Sequence, residues 1–237
     1  MAEQDPSDGD LDRERTQILL AALPHVPFDG WTQVVIEAGI ADAGLDPDLA
    51  WRAFPGGPAD VVEFFSQYAD RKMVAVLENT PLEDMRVRDR ITEVVRVRLD
   101  LLAGHREAVR RALAFLALPA HTALGVSCLA RTVDKMWRAA GDTSTDFNFY
   151  TKRGLLAGVY GATLLAWLAD ETEDFSDTWA FLERRIGDVM EIQKARGRLD
   201  KIVADLPDPL AVLRRFREES PDKTDRNGED RPGEPSA

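Results

Sequence analysis

Residues 154–169 read GLLAGVYGATLLAWLA, sixteen positions without a formal charge. Leu155/Leu156, Val159/Tyr160, Thr163/Leu164 and Trp167/Leu168 recur in them as doublets every four residues. A four-residue repeat keeps apolar groups on one side of a helix with 3.6 residues per turn, whereas a strand needs strict alternation. The stretch is therefore a helix with one broad buried face.

Working outward, the same period recurs. Ile18, Leu19, Ala22 and Leu23 mark a first helix that stops at Pro24, and Val34, Val35, Ala38 and Ile40 a second between Gly30 and Gly44. A short third runs from Pro47, suited to a first helical position, to Phe54, closed by Pro55-Gly56-Gly57. Val61, Val62, Phe65, Met73, Val76 and Leu77 mark a fourth, from Pro58 to Asn79. Beyond Pro81, Val87, Ile91, Val94, Val95, Leu101 and Leu102 form a stripe ending at Gly104. Ala108, Val109, Ala112, Leu113 and Leu116 form another, ending before Pro119, and Leu124, Cys128, Met136 and Trp137 lie on the helix after it. Ser176 is predicted to cap a last long helix with Trp179, Leu182, Ile186, Val189 and Met190. No segment alternates as a strand does and none repeats another, so the expected class is all-α.

The chain has 237 residues, 44% hydrophobic and 30% charged, enough for an independent core. Forty-two acids against 30 bases give a net charge of −12, which phosphate backbones repel. The single cysteine, Cys128, rules out an internal disulfide and sits in an apolar run where a buried, inert thiol is expected. The opening MAEQDPSDGD has neither a signal-peptide nor a transit-peptide pattern and is expected to be disordered over residues 1–10. The longest uncharged run, Ala112 to Ala130, is interrupted near its middle by Pro119, and residues 154–169 fall short of the ~20 a span requires. Both read as buried helices of a soluble bundle.

Three short helices within residues 11–54 and a longer fourth resemble the helix-turn-helix end of TetR-type proteins, whose third helix enters the DNA major groove. Here residues 11–80 hold five bases (Arg13, Arg15, Arg52, Arg71, Lys72) and eleven acids, a net of 5 − 11 = −6. The third helix has Arg52 alone against Asp46 and Asp48. Counterion release needs several cationic side chains, so the region reads as a structural cap and no nucleic-acid partner is expected. A ligand-responsive TetR-type regulator is the alternative.

Residues 141–154, GDTSTDFNFYTKRG, pass from a polar loop into Phe147, Phe149, Tyr150, Lys152 and Arg153. Aromatics beside paired bases suit an interaction surface, since Tyr and Arg combine large area with a polar handle. Equally, Asp142, Thr143, Ser144 and Thr145 could cap a helix whose aromatics are core.

The stretch VDKMWRAAGDTSTDFNFYTKRGLLAGVY (residues 133–160), with DTWAFLERRIGDVM (177–190), resembles the ubiquinone-biosynthesis accessory lipid-binding family. The matching positions are Trp137, Gly141, Asp142, Ser144 to Asn148, Tyr150, Thr151 and Arg153, then Asp177, Trp179, Phe181, Leu182 and Arg185. ILLAALPHVPFDGWT (18–32) is similar to the family's opening helix and turn, so the resemblance covers about residues 15–195. It implies a TetR-like fold: a degenerate helix-turn-helix region over 11–80, a C-terminal helical lipid-binding domain over 81–206, an amphipathic helix over 207–219 and a disordered tail over 220–237.

The resemblance also implies a lipid-binding role in which an isoprenoid quinone precursor is presented to a di-iron demethoxyubiquinone hydroxylase. The family's partner surface maps onto Asp134, Met136, Trp137, Asp146, Phe149, Tyr150 and Arg153. Phe149 stands where many members have Trp, which removes an indole N–H donor from that surface. Leu155, Val159, Tyr160 and Leu164 are the expected lipid-binding positions, and Gly154, Gly158 and Gly161 would admit either a lipid tail or a neighbouring helix. Leu210, Leu213, Arg214, Phe216 and Arg217 would touch membrane with apolar groups inward and arginines on anionic headgroups, or else dock on the bundle. By analogy with TetR proteins a homodimer through residues 148–200 is expected. The expected location is peripheral, on the cytoplasmic face of a bacterial inner membrane (the matrix face in mitochondria).

No enzyme chemistry or metal is expected. The residues three before His25, His105 and His121 are Ala22, Leu102 and Leu118, so the Glu-x-x-His pairs of a di-iron bundle are missing. No phosphate loop, dinucleotide fingerprint or nucleophile triad is evident. No cofactor is expected beyond a bound lipid or isoprenoid quinone.

Overall fold

The computed structural model describes residues 6–142 and 147–204, with the side chains at 6–9, 50, 51, 147–149 and 192–204 left aside. Among the described residues there are helices and no strand: α1 (Pro6–Ala22), α2 (Val26–Asp29), α3 (Gln33–Asp42), α4 (Leu49–Ala53), α5 (Pro58–Leu77), α6 (Val87–Leu102), α7 (Arg106–Leu116), α8 (Thr122–Ala139), α9 (Phe147–Ala169) and α10 (Ser176–Ala204). The helix α1 starts inside the ten residues expected to be disordered. The short α4 begins two residues after Pro47, not on it. The tail expected over 220–237, and the helix expected over 207–219 with Leu210, Leu213, Arg214, Phe216 and Arg217, lie outside the described residues. The chain divides into two units, residues 1–189 and 190–237. The described part of the second, residues 190–204, is helical.

In the first unit, α1 and α3 cross closely because position 39 is glycine. A Cβ there would stand 2.8 Å from Ala22 Cβ and from the Ile18 carbonyl oxygen. The crossing buries Ile18, Leu19 and Ala22 completely, and each buried Leu or Ile contributes about 1.5–3 kcal/mol before entropy is subtracted. The boundary drawn at residue 80 is a change of partners within one unit. The Trp31 indole N–H donates to the Ala108 carbonyl at 3.0 Å, and Arg111 Nη2 donates to the Pro27 carbonyl at 2.6 Å.

The N-terminal bases are partly spent inside the fold. The Arg15 guanidinium lies 4.5 Å from the Phe64 ring centroid and 5.0 Å from that of Phe54, and the Arg71 guanidinium lies 4.9 Å from that of Phe64. Two of the five cations of residues 11–80 are therefore stacked on core aromatics. Val34, expected on an inward stripe, is exposed, as are Val76 and Leu101, and Leu99 takes the buried place on α6 instead.

Pro119 breaks the long uncharged run as its sequence requires. The helical segments on either side meet at 95°, and no single described helix is long and apolar enough to cross a membrane. The C-terminal carbonyls of α9 are taken by α7: Arg106 Nη2 donates to Trp167 and Asp170 at 2.6 and 2.7 Å, and Arg110 Nη2 to Leu168 at 2.7 Å. Added Cβ atoms at Gly154, Gly158 and Gly161 would meet nothing within 4 Å. These glycines bring no helix of this chain closer.

Between α9 and α10 the backbone turns through Asp174 and Phe175, both at φ 55°, a left-handed conformation costing non-glycine residues roughly 1 kcal/mol or more each. The Trp179 indole N–H holds the Asp174 carbonyl at 2.7 Å, and the Phe175 ring packs against Trp167. Ser176 does not cap α10, because its own φ and ψ are helical (−58° and −37°). Asp170 caps instead. Its Oδ2 accepts the Thr178 backbone N–H at 2.8 Å and hydroxyl at 2.5 Å, while Oδ1 accepts the same two groups of Thr172 at 2.8 and 2.5 Å. Burial opposes ionisation of Asp170, but these hydrogen bonds outweigh it and hold the pKa well below the usual carboxylate range. Its contribution to stability is complete above the unfolded-chain pKa of about 4 and is lost as pH falls through the lower folded value. Asp170→Asn should lower Tm by roughly 5 °C at neutral pH. In thermal melts its deficit against the wild type should shrink from about pH 4 downward; a deficit that stays constant would contradict this role.

Candidate functional site

Four helices bring polar groups to one point in the apolar interior. Asp70 comes from α5, Arg98 from α6, Thr132 from α8 and Tyr160 from α9, and all four residues are at least 96% buried. Arg98 lies seven residues after Ile91 and four after Val94, squarely on the inward stripe of α6. Its Nη2 sits 3.1 Å from Asp70 Oδ1 and donates to Thr132 Oγ1 at 3.3 Å, and its Nε donates to the Tyr160 hydroxyl at 3.0 Å. The Thr132 hydroxyl in turn donates to Asp70 Oδ1 at 2.9 Å.

The attraction within such a pair offsets its desolvation cost when the geometry is good and further hydrogen bonds are added. Burial acts to lower the Arg98 pKa; the Tyr160 hydroxyl and the Asp70 carboxylate more than offset it and leave the pKa raised. The guanidinium therefore stays charged. Two atoms of the cluster have no hydrogen-bond partner, Arg98 Nη1 and Asp70 Oδ2.

Arg98, Thr132 and Tyr160 form the polar end of a cavity of about 110 Å³. Its buried walls are apolar, with Phe65, Leu102, Val109 and Leu164 among them, and its half-buried rim includes Leu113, Leu116 and Leu129 near the α7–α8 elbow. An apolar cavity of roughly 150 Å³ suffices for benzene. The space here is on the scale of one ring or one branched five-carbon unit, well short of a whole polyprenyl chain. Of the expected lipid-binding residues, Tyr160 and Leu164 line the cavity. Val159 is buried and Leu155 half-buried, and neither is part of this wall. Cys128 is on the wall, with Arg131 Nη2 3.4 Å from its Sγ. Burial raises its thiol pKa, which slows its reaction as a thiolate without abolishing it.

The motif at residues 141–154 joins the end of α8 to the start of α9. Gly141, at φ 87°, turns the chain after α8, and Asp142 behind it becomes an anchor. Lys152 Nζ lies 2.8 Å from Asp142 Oδ1, and Arg153 Nη1 3.3 Å from Asp142 Oδ2. Arg153 Nε also donates to Asp134 Oδ1 at 2.8 Å, and Arg138 Nε to Asp134 Oδ2 at 2.7 Å. Burial works to raise the Asp134 pKa, but its hydrogen bonds to Arg153 and Arg138 prevail and lower it. The Trp137 indole N–H donates to the Lys152 carbonyl at 3.0 Å. These groups clamp two helices together.

The expected partner surface is thus divided. Met136 is completely buried and lies beneath the surface, because its place on α8 faces the core. Arg153, with 13% of its side chain exposed, spends its guanidinium on Asp134 and Asp142. Trp137 is half-buried, while Tyr150 is 74% exposed. Asp146 and the Phe149 side chain lie outside the described residues.

Sequence reading missed Asp70, Arg98 and Thr132. The signal was a charged residue in register with the apolar stripe of α6. Among the described residues no group of His, Cys, Asp and Glu side chains could hold a metal ion.

This architecture is that of the TetR-like proteins. The crystal structure of a TetR transcriptional regulator from Nitrosomonas europaea matches with a TM-score of 0.60 at 21% identity, covering 73% of this chain and 95% of that one. Likeness at that identity establishes the fold alone. Residues 122–193, which include the α8–α9 clamp and the start of α10, match the COQ9 family model. The Homo sapiens ubiquinone biosynthesis protein COQ9, mitochondrial, is 37% identical over 183 residues, 74% of this chain and 57% of that protein. The Drosophila melanogaster protein of the same name is 31% identical over 197 residues, 81% of this chain and 60% of that one. The chain belongs to the COQ9 family, and it spans about three fifths of the length of these relatives.

Proposed function

We propose that this chain is a non-catalytic, lipid-binding accessory protein of ubiquinone biosynthesis. It takes up an isoprenoid quinone intermediate at a membrane surface and presents it to the di-iron demethoxyubiquinone hydroxylase. The observation that carries this reading is the cavity: an apolar, ring-sized space with a half-buried apolar rim, in a chain whose relatives are named for ubiquinone biosynthesis. The space is on the scale of the ring alone, and the isoprenoid chain leaves past Leu113, Leu116 and Leu129. Residues 210–217 would hold the protein on the cytoplasmic face of a bacterial inner membrane, with Tyr150 and Trp137 facing the hydroxylase. A homodimer belongs to the same reading, by analogy with TetR-like proteins.

Organic extraction of the purified chain followed by mass spectrometry should release an isoprenoid or phospholipid in near-stoichiometric amount; a lipid-free protein would contradict carriage. The hydroxylase contact has its own test in Tyr150→Ala. With a melting curve confirming that the variant folds, it should reduce hydroxylase co-purification about tenfold or more. Undiminished capture would remove this face from the account. Arg153→Ala is unsuitable for that purpose, since it also breaks the clamp to Asp134 and Asp142.

A further inference from the structure

The orphaned nitrogen of Arg98 raises a question the fold alone does not answer. A buried N–H without an acceptor costs about 1–3 kcal/mol, and here it belongs to a guanidinium on the wall of an otherwise apolar cavity. Beside it, the Tyr160 hydroxyl accepts Arg98 Nε and retains its own hydrogen for donation. The Arg98 guanidinium and the Tyr160 hydroxyl are thus donor-bearing groups on a wall that is otherwise apolar apart from Ser66, Thr132 and the Cys128 thiol.

Charge selects among the possible acceptors. The Arg98 cation is already balanced by Asp70, 3.1 Å away. An anionic head entering the cavity would leave one buried negative charge uncompensated, a severe desolvation cost. A neutral oxygen would complete the hydrogen bonding with no change in net charge.

We propose, building on the lipid-binding reading above, that Arg98 and Tyr160 recognise a neutral ring oxygen of the bound molecule. A quinone carbonyl or phenol oxygen accepts from Arg98 Nη1, the ring fills the apolar space, and the tail points to the rim. Asp70 and Thr132 are positioning residues that hold the guanidinium in place. The protein thereby distinguishes a ring carrying oxygen from a hydrocarbon of the same shape and from a fatty acid.

The test uses the full chain and three probes with equal tails: 2,3-dimethoxy-5-methyl-6-decyl-1,4-benzoquinone, decylbenzene and decanoate. Affinity is read from the ligand-induced rise in Tm, and occupancy from slowed alkylation of Cys128, the only cysteine. The quinone should bind about tenfold or more tightly than either other probe and should protect Cys128. Arg98→Lys keeps a cation for Asp70 but loses the planar fork, and should abolish that preference. If Arg98→Lys does not fold, Tyr160→Phe serves in its place, with an expected loss of about threefold. Equal protection by decylbenzene would overturn oxygen recognition and leave lipid carriage standing. Tightest binding by decanoate would overturn it by showing an anion site. No protection by any probe would overturn it as well, and only a lipid-free extract in addition would bring down the carrier reading.

Discussion

The Asp70–Arg98 pair constrains the rest of the bundle. Two opposite charges buried in an apolar interior offset their desolvation cost only with good geometry and added hydrogen bonds. Four helices supply those contacts, so α5, α6, α8 and α9 must converge at one level. Arg98, Thr132 and Tyr160 of that cluster also line the cavity, so the same convergence sets its polar end. The Arg106 and Arg110 contacts that cap α9, and the clamp of Asp142 with Lys152 and Arg153, fix α9 near its two ends and so place Tyr160.

The N-terminal helices illustrate how a TetR-like frame can persist as packing. Gly39 lets α1 and α3 touch, and Arg15 and Arg71 stack over Phe64 where a DNA-binding protein would turn cations outward. Residues 11–80 carry a net charge of 5 − 11 = −6, and the cations left at the surface are few for counterion release from DNA. Trp31 and Arg111 tie this region to α7, making it a wall of the same unit that holds the cavity.

Much of this was legible in sequence because helical burial has a period. The doublets at 155/156 through 167/168 announced α9, and proline and glycine placed most helix ends. Val34, Val76 and Leu101 misled because apolarity alone does not say which side of a helix is inward, and Leu99 was overlooked for the same reason. Ser176 had the composition of a cap, but Asp170 reached the same backbone N–H groups from the preceding turn, a contact only tertiary geometry reveals. The motif at 141–154 was visible as a unit. Its charges turned out to be spent largely within the chain: pairing between Arg153 and Asp134, nineteen residues apart, depends on how α8 and α9 pack. The cluster at Arg98 was hidden for a different reason. A charge on an apolar stripe is visible, but the partners that make it tolerable lie on three other helices.

If the buried pair is retained for recognition, its removal should separate stability from binding. The decisive measurement is the Tm of Asp70→Leu/Arg98→Met with and without the decyl quinone, since replacing a buried ion pair by apolar groups of similar volume is often neutral or stabilising. The account predicts a folded protein with Tm equal to or above that of the wild type and no rise on adding quinone. A double variant that keeps the full quinone-induced rise would contradict it.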